Sequence, residues 1–130
     1  MLNKLQNYLS GINISSNFIN GNSWLLEFTM NSLNFLAEYK PDSDPTFFRI
    51  MLPQIQGFDQ KLDDEILKKI LVINSTYKVG KIIKIGKYLW ISAEFFVNPT
   101  ENNILIFNRA ISILTDMYND YYSRTHESQI

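Results

Sequence analysis

Between Glu101 and Arg124 the chain sets its apolar side chains in two adjacent rows. Ile104, Phe107, Ile111, Leu114, Tyr118 and Tyr121 recur at alternating steps of three and four, the spacing of one face of an α-helix. Ile106, Ala110, Ile113 and Met117 run beside them. Arg109, Ser112, Asp116, Asp120 and Ser123 are left only a narrow polar strip. A helix apolar over so wide an arc must be covered on more than one side, which calls for a sheet beneath it and a further element beside it. Thr100 is placed to cap this helix, with Asn103 at its third position.

The segments before it read as the sheet. Trp24 to Met30 alternates Trp24, Leu26, Phe28 and Met30 with Leu25, Glu27 and Thr29, and Asn31-Ser32 reads as a tight turn. Leu33 to Lys40 alternates again, and Pro41 to Pro45 reads as a loop. Thr46 to Leu52 is the next strand, ended by Pro53, with Gln54 to Gln60 as a connector. Val79 to Ile85 and Tyr88 to Val97 form a hairpin about Gly86-Lys87. Ile14 to Ile19 is a brief strand before the Asn20-Gly21-Asn22 turn.

Two further helices complete the pattern. Leu2, Leu5, Leu9 and Ile12 mark a short one that stops near Ser10-Gly11. Leu62, Ile66, Ile70 and Ile73 mark another, flanked by Leu67 and Leu71, with Lys68 and Lys69 opposite. Asp63, Asp64 and Glu65 favour its start through the helix dipole, and it ends near Asn74. The expected fold is α+β: an antiparallel sheet of about five strands with helices on one face, in the order α-β-β-β-α-β-β-α. Residues 1–125 are expected to form one domain and 126–130 a polar tail.

If the helices cover the face bearing Trp24, Leu26, Phe28, Phe48, Ile50, Leu89, Ile91 and Phe95, the other face carries Leu25, Glu27, Leu36, Glu38, Phe47, Arg49, Met51, Trp90, Glu94 and Phe96. A solvated sheet face is normally polar. Here apolar side chains interleave with charges, the pattern of an interaction surface. Leu36, Phe47, Met51, Trp90 and Phe96 are the candidate protein-binding residues.

Charge and chemistry narrow the function. With 12 basic and 13 acidic side chains, a net charge of −1 and 19% charged residues, no broad field is available for a nucleic-acid backbone or an anionic membrane. There are no cysteines, which excludes thiolate catalysis and cysteine-ligated zinc. His126 lies in the tail, without orienting neighbours. Asp63-Asp64-Glu65 and Asp42/Asp44 are accounted for by helix-start and turn chemistry. Lys78, Lys81, Lys84 and Lys87 recur every third residue, but on strands they divide between two faces. Tyr118, Tyr121 and Tyr122 fit packing at helical spacing better than an aromatic cage. No nucleophile–base pair or ligand set can be assembled, so neither an enzyme nor a cofactor or metal is expected. With no signal peptide and no apolar run of about 20 residues, the cytoplasm is the expected compartment.

The order of elements resembles the type III secretion chaperone-like fold, in particular its YbjN-like branch. The residues that carry the resemblance are Ile70-Leu71-Val72-Ile73-Asn74, Val79-Gly80-Lys81-Ile82, Tyr88-Leu89-Trp90-Ile91-Ser92 and the helix from Ile104 to Tyr122, with Trp24 to Phe28 opening the sheet. The resemblance implies a non-enzymatic homodimer, chaperone- or adaptor-like, that holds an extended segment of another protein in apolar grooves. The alternative is a small-ligand or nucleic-acid binding domain using an aromatic pocket near Trp24 and the tyrosines.

Overall fold

A computed structural model of the chain describes residues 2–40, 47–58, 61–97 and 103–124, and of Phe47 the backbone alone. The elements are α1 (Leu2–Gly11), β1 (Ser16–Phe18), a 3-10 turn (Ile19–Gly21), β2 (Leu25–Met30), β3 (Leu33–Tyr39), β4 (Phe47–Gly57), α2 (Asp64–Thr76), β5 (Gly80–Ile85), β6 (Tyr88–Phe96) and α3 (Ile104–Ser123). The strands form one six-stranded antiparallel sheet in the order β1-β2-β3-β4-β6-β5. The fold is therefore α+β in roughly the expected order: the brief strand read at Ile14 to Ile19 forms as Ser16–Phe18, pairs with β2 and brings the sheet to six strands where about five were expected.

Tight turns set the register. Asn31 and Ser32 both have positive φ, 55° and 63°, the conformation of a two-residue hairpin turn whose twist matches the strands it joins. Gly86 (φ 61°) opens the second such turn. From the first turn onward Leu26, Phe28, Phe35 and Ala37 fall on one side and are buried. Phe48, Ile50, Ile82, Leu89, Ile91 and Ala93 continue that side across the sheet and are buried as well. This is the face the helices cover.

α3 supplies the other half of the core. Phe107, Ala110, Ile111, Leu114, Met117 and Tyr121 are its buried residues, drawn from both rows of the sequence pattern. Each large apolar side chain among them stabilises the fold by about 1.5–3 kcal/mol. The Phe107 ring packs on Phe48 with centroids 4.7 Å apart. α1 buries Leu2, Leu5 and Leu9 and ties to α3 through the Tyr8 hydroxyl, which donates to Asn108 Oδ1 at 2.8 Å. Where α3 crosses β5, Gly80 leaves room for Met117; a Cβ there would be driven into the Met117 sulfur.

Four expectations are corrected. β4 does not end at Pro53 but runs to Gly57, so most of the expected connector is strand. The ladder with β6 slips between Leu52 and Gln56, and Gln54 has φ 53°. Proline is tolerated here because β3 pairs with β4 only as far as Met51 and the bulge frees Pro53 from the β6 ladder. α2 continues to Thr76, with Asp63 as N-cap accepting from the Ile66 N–H at 2.8 Å. Lys81 draws this helix past Asn74: its ammonium donates to the Asn74 and Tyr77 carbonyls at 2.9 and 2.8 Å.

The third concerns Lys69, which is not on the wet side of α2. It is 8% exposed, with its Nζ 4.3 Å from the centroid of the Tyr121 ring. Leu67, Leu71 and Val72 are exposed instead. The fourth concerns α3, which takes Asn103 as its N-cap, the Phe107 N–H donating to the Asn103 carbonyl at 3.0 Å. Thr100, the Pro41 to Pro45 loop, His126 and the 126–130 tail lie outside the described residues.

The β5 edge is closed by a side chain. Alternation from the Gly86-Lys87 turn points the Ile82 N–H and C=O away from β6. The Asn74 carboxamide meets both, accepting from the Ile82 N–H at 2.7 Å and donating to its carbonyl at 3.2 Å. At the other edge, Gln6 reaches the Ser16 carbonyl at 3.4 Å.

Candidate functional site

The uncovered side of the sheet is assembled in rows by strand register. One row reads Glu27, Leu36, Met51, Ser92 and Lys81 from β2 through β3, β4 and β6 to β5. The next reads Leu25, Glu38, Arg49 and Glu94. Trp90 and Ile83 are paired on the opposite side of the first row from Glu94. Leu36, Met51, Trp90 and Phe96 thus all lie on this face, and Phe47 stands opposite Phe96 in the register.

The register does not bring these residues into one patch. Arg49 sits between two carboxylates, 3.1 Å from Glu94 and 3.6 Å from Glu38, and this charged row crosses the face. It leaves Phe96, 76% exposed, and the Phe47 position at one end of the sheet. Leu36, Met51 and Trp90 lie on the other side of the row. Met51 is only 4% exposed, yet it stands apart from the core under the helices. It is packed beneath this half of the face, with Leu36 and Ser92 as its neighbours in register.

Across this half runs a groove of about 810 Å³. Asn17 and Glu27 stand at one end, Asn34 and Leu36 in the middle, and Pro53 and Trp90 at the other. The bulge in β4 carries Pro53 and Gln54 into the wall. The Trp90 indole Nε1 and the Ser92 hydroxyl are buried on this face without a hydrogen-bond partner among the described residues. Buried donors are nearly always paired, and each unpaired one costs about 1–3 kcal/mol.

Asn17, Asn34 and Pro53 were not among the candidate residues. Asn34 alternates onto this face, but Asn17 and Pro53 carry no periodic signal, and the three meet only through pairing between β1, β2 and β3 and the slip in β4. The Asn-Gly-Asn turn after Ile19 was the one cue that β1 folds back on β2.

The tyrosines form a separate corner. Tyr121 is fully buried and its hydroxyl donates to Gln56 Oε1; the Tyr122 hydroxyl donates to the Ile55 carbonyl. Burial, then the neighbouring Tyr122 and Asp63 charges, push the Tyr121 phenol up to about 12. Burial also raises Tyr122, and burial with Asp120 raises Tyr77, whose hydroxyl donates to Asp120 Oδ2 at 3.2 Å. Trp24 lies elsewhere: its carbonyl accepts from the Tyr39 N–H, Tyr39 pairs with Phe48 near the start of β4, and Lys40 stands over its ring. Tyr121 meets β4 near its other end, so Trp24 and the tyrosines do not share a pocket.

Among the described residues no group of three or more histidine or acidic side chains is placed to hold a metal ion. No helix among them is long and apolar enough to cross a membrane. Comparison with protein-family models, curated proteins and solved structures finds no match to this chain.

Proposed function

We propose that this chain is a non-enzymatic, chaperone- or adaptor-like protein-interaction module of the cytoplasm, related to the YbjN-like and type III secretion chaperone-like proteins. It works as a homodimer and holds a segment of another polypeptide. Leu36 and Trp90 serve the segment, with Met51 packed beneath them, and Phe47 and Phe96 extend the contact surface beyond the charged row. The observation that carries this reading is the groove on the uncovered sheet face, where Leu36, Pro53 and Trp90 stand beside the carboxamides of Asn17, Asn34 and Gln54. Polypeptide suits such a site: side chains fill apolar seats and main-chain groups pair with the carboxamides.

Light scattering behind size exclusion should give twice 15.2 kDa; a monomer at micromolar concentration removes the dimer. Replacing Leu36 and Trp90 with aspartate should abolish capture of apolar peptides while the circular dichroism spectrum is kept. Peptide capture unchanged in the double variant would place the binding surface elsewhere.

A further inference from the structure

The charges of the uncovered face are committed, with one exception. Glu38 and Glu94 share Arg49. Lys81 is drawn to the α2 carbonyls. Glu27 lines the groove, is exposed, and makes no ion pair among the described residues. The rest of the lining is neutral, formed by carboxamides, hydroxyls and apolar side chains. A lone carboxylate in a neutral groove sets the charge of what fits there, because the wrong sign meets repulsion that no neighbour relieves.

Resting on the peptide-binding reading above, we propose that the bound segment carries a lysine or arginine that pairs with Glu27. The same segment places an apolar side chain against Leu36 and Trp90. Register fixes the separation. Glu27 and Trp90 lie three strands apart, from β2 across β3 and β4 to β6, with Trp90 two residues along its strand from the Glu27 row. At about 4.8 Å per strand and 3.4 Å per residue this is roughly 16 Å; four residues is the nearest even spacing in an extended chain, and an even spacing keeps both side chains on the side toward the groove. The segment therefore crosses the strands, basic end over β2 and apolar end over β6.

The test uses the full chain and three peptides blocked at both ends, each with a leucine four residues after a lysine, a glutamine or a glutamate and alanine elsewhere. Calorimetric titration should show the lysine peptide binding about fivefold tighter than the glutamine peptide, the size of a single exposed ion pair, with the glutamate peptide weakest. Glu27→Gln should erase the ranking, and Glu27→Lys should invert it. Asp64→Asn, on the exposed first turn of α2, should leave it unchanged. A ranking that survives Glu27→Gln, or equal affinity for all three peptides on the unaltered chain, overturns the proposal while peptide binding stands. Failure of every peptide to bind overturns the peptide-binding reading and this inference with it.

Discussion

Asn74 stands where a neighbouring strand would, one carboxamide meeting both main-chain groups of Ile82. Asn74→Ala should cost about 1–2 kcal/mol, two hydrogen bonds of ordinary strength. It should also raise the tendency to associate, because an uncapped edge invites another strand; denaturant midpoints and light scattering read the two effects. Tyr121 makes a prediction of another kind. Its phenol is held up at about 12, against about 10 in an unfolded chain. The neutral form is the one the fold favours, so this contribution is fully present below pH about 10 and is lost as pH rises towards 12. Tyr77 and Tyr122 shift in the same direction. Thermal melts across that window should fall steeply, and Tyr121→Phe should flatten the fall. At this scale the sequence was a partial guide. Asn74 could be read as a helix end but not as an edge cap, since its partner Ile82 is brought to it by folding. Lys69 read as solvent-facing from its place beside Lys68, yet its ammonium lies over the buried ring of Tyr121 in a cation–π contact.

Elements were legible where a local rule determines them. α1, β2, β3, β5, β6 and α3 follow apolar periodicity and two-residue turns, and their boundaries fall close to those expected. β4 was misread because proline stops a strand in most contexts; whether β3 still pairs at that point is a fact of the whole sheet, not of the segment. α2 ran past its expected end because Lys81, on a later strand, caps it. Packing between elements concentrates at the α3–β5 crossing. Gly80→Ala should destabilise the chain by about 1–3 kcal/mol through overpacking against Met117. Gly80→Ala combined with Met117→Leu should recover part of the loss in the same denaturation experiment, whereas Gly11→Ala, with open space around it, should not destabilise.

For the whole molecule, one side of the sheet is sealed by three helices and the other is divided by the Glu38–Arg49–Glu94 row. That division was hidden in the sequence, where alternation placed Leu36, Phe47, Met51, Trp90 and Phe96 on one side without showing what stands between them. The slip in β4 has a consequence for how this chain can vary. Before it, the even-numbered Phe48, Ile50 and Leu52 point under the helices; after it, the odd-numbered Ile55 does. Four steps of β4 lead from Leu52 to Gln56 opposite the two from Ile91 to Leu89, so deleting Gln54 alone leaves the strand one residue out. With pairing carried on from Leu52, Ile55 would take the place of Gln56 opposite Leu89, and Gln56 would turn away from Tyr121. Length, here, is a reading frame: a single missing residue would garble the end of the strand while every residue in it stayed the same.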